Sequence, residues 1–148
     1  MSLLFAYATS SQQIGINDTP AIFDTVSINS GKGIIPDEKG STFTCDVHGI
    51  YKVDVNLVVL IKQDENFTGT VLVNGKIVPG TGMSLRVVPL MQAIVPSNFL
   101  IELEKGDELV VACQSTTGEA FLKLPRGSQG SGSSIAFVLE KRLESQRD

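Results

Sequence analysis

The side chains of this sequence that invite a chemical reading are few: one histidine, two cysteines and a scatter of loop carboxylates. A Ser-His-Asp triad would have to use His48, which stands between Val47 and Gly49 at a strand-to-strand turn. It reads as a polar turn residue. No Cys-x-x-Cys, no His-Glu-x-x-His and no phosphate-binding glycine loop occurs. A cupin-like metal centre needs several histidines, and one cannot supply it. Asp37-Glu38, Asp46 and Asp64-Glu65 are loop acids, but their spacing is not that of a calcium loop. No enzymatic activity is therefore expected, and no catalytic, cofactor-binding or metal-ligating residue is assigned. Asn17-Asp18-Thr19 and Asn66-Phe67-Thr68 fit the glycosylation sequon, a pattern short enough to arise by chance.

The elements that carry these residues belong to one domain. The chain has 148 residues and a mass of 15.8 kDa, enough to bury a real core. Sixteen acids against twelve bases give a net charge of -4, which argues against a nucleic-acid partner. No apolar run is long enough for a transmembrane helix, so membrane insertion is not expected. The start, Met1 to Ala8, is apolar but lacks a basic n-region and does not read as a secretory signal. Two cysteines make no disulfide framework, and a reducing compartment is the default expectation.

The hydrophobic period is two almost throughout. Strands are expected near Leu3–Thr9, Ala21–Asn29, Thr42–Val47, Ile50–Gln63, Thr68–Val73, Lys76–Val78, Ser84–Val95, Asn98–Glu104, Glu108–Ser115, Ala120–Leu124 and Ser134–Leu143. Asn74-Gly75 and Gly106-Asp107 mark tight reversals. Many short strands and no amphipathic helix mean a sandwich, jelly roll or barrel. The Gly-Ser stretch 127–133 is a loop, and residues 144–148 form a polar tail after a single domain over 1–143.

Alternation within Ile50–Lys62 divides its faces. Tyr51, Val53, Val55, Leu57, Val59 and Ile61 share an apolar side and are assigned to the core. Lys52, Asp54, Asn56, Val58, Leu60 and Lys62 share the other, which begins polar and places Val58 and Leu60 together towards its end. Ala136 and Val138 repeat the pattern opposite Ile135, Phe137 and Leu139. Two readings fit: a second subunit covers this face, or the strand is covered on both sides within one sandwich.

Specific spacings appear from Ala21 onward. Phe23-Asp24, Asn29-x-Gly31 and Gly40-x-x-Phe43-Thr44 are followed by Gly49-Ile50-Tyr51. Val73-Asn74-Gly75, Leu103-x-x-Gly106-Asp107-x-Leu109 and Ser133 to Leu139 come next, in order. Nearly the whole chain thus resembles the globular head of complement C-one-q, within the tumour-necrosis-factor-like jelly-roll superfamily. It departs from that pattern at Val53, where an aromatic residue is usual, and it has no collagen-like repeat. The Gly-Ser loop and the Ile-Ala-Phe ending look closer to bacterial and phage members. The resemblance implies a ten-stranded antiparallel jelly-roll sandwich of two five-stranded sheets, assembled as a tight homotrimer. It also raises calcium, which some relatives bind near the trimer apex; the loop acids here do not predict it.

The expected function is a non-enzymatic homotrimeric surface module. It would be a structural or attachment protein on the outside of a virus particle or spore, binding a host or particle surface protein or glycan through its loops. The alternative is a secreted receptor-binding ligand of the complement or necrosis-factor-like kind. Trimer-interface candidates are Asp54, Asn56, Val58, Leu60, Leu100, Ala136 and Val138. Core markers are Phe23, Phe43, Tyr51, Val53, Ile101, Leu103 and Phe137. Loop candidates for binding are Phe67, Phe121, Lys123 and Arg126, from the loops Gln63–Gly69, Pro79–Gly82 and Ser115–Gly132. The resembled topology also sets Cys45 and Cys113 on neighbouring strands, within reach of each other, though both are expected to stay reduced and buried.

Overall fold

The computed structural model describes residues 2–61, 65–87, 91–123 and 132–144, without the side chains of Val87 and Met91. The described residues form strands and no helix. In chain order these are β1 (Leu3–Tyr7), β2 (Gln12–Ile14), β3 (Thr19–Pro20), β4 (Thr25–Ser30), β5 (Ile34–Pro36), β6 (Phe43–Cys45) and β7 (Gly49–Ile61). They continue with β8 (Glu65–Val73), β9 (Lys76–Ile77), β10 (Met83–Val87), β11 (Met91–Leu103), β12 (Glu108–Ser115), β13 (Ala120–Leu122) and β14 (Ser134–Arg142).

Two antiparallel sheets face each other. The first runs β4-β1-β14-β7-β11. The short β2 and β13 continue it along the far half of β7. The second runs β10-β8-β12-β6-β5, with the two-residue β3 and β9 added beside β12 and β8. Five main strands per sheet make this an antiparallel jelly roll. The short additions are what raise the count above ten.

β7 shows why the sheets pack as they do. Its odd-numbered residues Tyr51 to Ile61 are all fully buried between the sheets, and pleating puts the even-numbered ones outside. Phe23, Phe43 and Phe137 fill the middle, with ring centroids 6.1 Å apart for the first pair and 5.3 Å for the second. Leu103 is buried with them, and Ile101 is half-buried against the same core. The Asn74-Gly75 reversal has positive φ at both residues, 53° and 80°, as a two-residue hairpin turn requires. Gly49 has no room for a side chain, because a Cβ there would lie 2.6 Å from the Lys141 carbonyl oxygen. Asp24 fastens the neighbouring loop by accepting from Thr9 N and Thr9 Oγ1, both at 2.9 Å.

Several expected boundaries are corrected. Ala21 and Phe23 are buried but irregular, and the strand there is Thr25–Ser30. Ala21 N and Phe23 N instead donate to the Val111 and Gly40 carbonyls. Met91–Leu103 is one strand running through Pro96, where the sequence suggested a break. Proline is tolerated on an edge strand, and among the described residues β11 pairs with β7 alone. Gln63–Gly69 is not a loop from Glu65 onward; it opens β8.

The cysteines share the core but do not meet. Cys45 donates its backbone N–H to the Asp107 carbonyl, whereas Cys113 is level with Thr19 and Gly69. Six residues along β12 separate those levels, roughly 20 Å of strand. The topological resemblance placed the strands correctly, and register keeps the thiols apart. Both are free and buried. Burial pushes the Cys113 thiol up to about 12 and raises Cys45 as well. Folded protein should therefore resist a charged thiol reagent at pH 8, and unfolding without reductant should release two reactive thiols. A count of zero would mean a bridge that this register forbids.

Candidate functional site

The face of the first sheet turned away from the core gathers most of the interface candidates. On β7 it carries Lys52, Asp54, Asn56, Val58 and Leu60. Register places Ile94 of β11 opposite Val58, Asn98 opposite Asp54 and Leu100 opposite Lys52. On the other side of β7, Ala136 lies opposite Asp54 and Val138 opposite Lys52. β1 then adds Leu3 and Phe5, level with Val138 and Ala136. The Phe5 and Tyr7 rings lie 6.1 Å apart.

This face is apolar at both ends and polar in the middle. Ile94 and Leu100 are large apolar side chains that stand 68% and 66% exposed. Between them the Asn98 amide, placed nitrogen-first, donates to Asp54 Oδ1 at 3.1 Å. Asp54, Asn56, Leu60, Ala136 and Val138 are half-buried. Val58 differs: it is only 7% exposed within the single chain. Its N–H donates to Ser133 Oγ and its carbonyl accepts from Lys123 N, so its backbone too is engaged by its own chain. Cover from within one sandwich thus accounts for Val58. It does not account for Ile94 or Leu100. Ile94 escaped the sequence reading because Pro96 obscured the alternation that joins it to Leu100.

The loop candidates divide. Phe67 is wholly buried on β8, so it is a core residue and not a binding loop. Its neighbours Asn66 and Thr68 alternate to the exposed side. Phe121 lies in β13, half-buried and paired opposite Leu60 and Gln13; the segment folds back on the sandwich. Lys123 is exposed. Arg126 lies outside the described residues.

Asp37 and His48 are held by bonds within the chain, and Asp64 lies outside the described residues. Asp37 Oδ1 accepts from the backbone N–H groups of Gly40, Ser41 and Thr42 at 2.8, 2.8 and 3.2 Å. Burial acts to raise its pKa, but these bonds outweigh it and hold the carboxyl below its usual value. Asp37→Ala should cost about 1 kcal/mol, discounted for its exposure. Because the folded value is lowered, that stabilisation is present above the ordinary carboxylate pKa and lost as pH falls through the lower one. A urea midpoint for Asp37→Ala equal to the parent's at pH 7 would contradict this. Among the described residues no group of three His, Cys, Asp or Glu could hold a metal ion. His48 is buried at 7% exposure, with Nε2 2.8 Å from Glu102 Oε2 and Nδ1 3.1 Å from the Glu144 carbonyl.

No protein-family model matches the chain, and no curated protein matches its sequence. Solved structures do. Murine APRIL at pH 8.0 superposes with a TM-score of 0.70 at 15% identity, covering 93% of this chain and 98% of that one. The globular domain of zebrafish complement 1qA gives 0.68 at 13%, over 97% and 100%. Eiger TNF from S. frugiperda gives 0.68 at 14%, over 99% and 94%. The fold is the TNF/C1q-like jelly roll. Coverage from end to end in both directions means that the TNF/C1q-like jelly roll takes in the full sandwich, both sheets included.

Proposed function

We propose that this chain is a non-enzymatic recognition module that works as a homotrimer, joined through the outward face of the first sheet. The carrying observation is that face: Ile94 and Leu100 lie exposed on one side of it, with Leu3, Phe5, Ala136 and Val138 on the other. Exposed apolar area of this kind marks an interaction site, and a trimer is what the jelly-roll resemblance implies. His48 supports the non-enzymatic reading, since both ring nitrogens are engaged by the chain itself. Light scattering should give the mass of three chains; a single-chain mass at micromolar concentration would remove the proposal.

The module serves on an external surface, that of a virus particle or spore, where its far loops bind a surface protein or glycan. A net charge of -4 fits neither nucleic acid nor an anionic membrane. The likeness to murine APRIL and Eiger TNF favours a second reading, a secreted receptor-binding ligand. Detection of the chain on purified particles supports the first. Saturable binding of the free protein to cells, with none on particles, supports the second.

A further inference from the structure

We propose that His48 is a proton-operated latch that fastens the C-terminal segment at the base of the sandwich and releases it as pH rises. The inference rests on what each ring nitrogen faces. Nε2 meets a carboxylate, Glu102 Oε2, at 2.8 Å. Nδ1 meets a backbone carbonyl, that of Glu144, at 3.1 Å. Both partners only accept, so both ring nitrogens must donate, and only the imidazolium does that. The arrangement therefore holds a charged histidine.

Three parts of the fold meet in that ring. His48 itself sits between β6 and β7, Glu102 is near the end of β11, and Glu144 follows β14. A backbone bond from Leu143 N to the His48 carbonyl, 3.0 Å, completes the fastening. His48 and Glu144 themselves help line a cleft of about 800 Å³, together with Asp46, Val47, Lys105, Arg142 and Leu143. The charged groups around the ring are Glu102 from β11, Glu104 and Lys105 from the following turn, Asp46 from the β6–β7 turn, Arg142 at the end of β14 and Glu144 after it. The carboxylates of Glu102 and Glu104 favour the proton, with the Glu102 hydrogen bond the largest influence, against a smaller opposing effect of burial.

Loss of the proton leaves one donor for two acceptors. The tautomer that keeps Glu102 turns the Nδ1 lone pair towards the Glu144 carbonyl, which is repulsive, so Leu143 and Glu144 let go. The sign follows from the raised pKa. The fastening is complete below the ordinary histidine value near 6.5 and is lost as pH rises through the higher folded value.

The chain has a single histidine, so its ring-proton NMR signal is unambiguous. Titration of the full chain should give a pKa above the ordinary value, moved back towards it in Glu102→Gln. The protection factor of the Leu143 amide should fall across the same interval in the parent. In His48→Gln, which cannot titrate, protection should stay flat with pH. A His48 pKa at or below 6.5 overturns the proposal. So does Leu143 protection that ignores the His48 titration. Should His48→Gln fail to fold, the Glu102→Gln pair of measurements still decides.

Discussion

Ile94→Asp should reduce the proposed trimer to single chains without harming the sandwich. Ile94 is 68% exposed in one chain, so a carboxylate there meets water as long as the chain is alone. In the trimer the same carboxylate would be buried opposite Val58 with no cation across the register. An uncompensated buried charge costs about 3–5 kcal/mol, and each trimer would carry three. Leu100→Asp should act more weakly, because Lys52 lies directly opposite and can answer the charge. Val58→Asp is a poorer test, since Val58 is already covered by its own chain and the fold would suffer too. Light scattering with an unchanged far-UV spectrum is the measurement. A trimeric Ile94→Asp would move the interface off this face.

Tyr51→Ala should destabilise the domain by about 3–5 kcal/mol, the range for aromatic truncation in a core. The ring is wholly buried, and its hydroxyl donates to the Val47 carbonyl, with the Gly33 carbonyl 3.4 Å away. The alanine variant loses packing and takes the hydroxyl donor from the Val47 carbonyl, which keeps only the weak Cys45 thiol, while the Gly33 carbonyl keeps the Asp46 N–H. For a chain of this length the midpoint should fall on the order of 10 °C. Tyr51→Phe keeps the ring and should cost about 1 kcal/mol, the hydrogen bond alone. A melting temperature unmoved by Tyr51→Ala would contradict the assignment of this strand's faces.

The parts of the fold legible in the sequence are those where one local signal decides. Strict alternation along β7 separated its buried and outer faces, because pleating leaves no third side. Asn74-Gly75 gave a hairpin because few residues accept positive φ in succession. Misreadings arose where a distant partner decides. Pro96 reads as a stop in one dimension, yet only the absence of a second neighbouring strand makes it tolerable. Phe67 looked like a loop residue between Asn66 and Thr68. Its burial comes from pairing with β10 and β12, which no local pattern contains. The contact of His48 with Glu102 spans 54 residues and has no periodic signature at all.

The pairing of β1 with β14 fixes an orientation. Leu3 is level with Val138, and Arg142 with Gly49, so the first residue of β1 and the last of β14 lie beside the start of β7. The thirteen residues of β7 then run roughly 40 Å to the opposite pole, where β8 begins and β13 pairs. A cargo, tag or support held beside Leu3 or Arg142 would sit at one pole. The turns 15–18 and 116–119 lie at the other, beside the end of β7, and three copies arranged side by side would raise them together at one height.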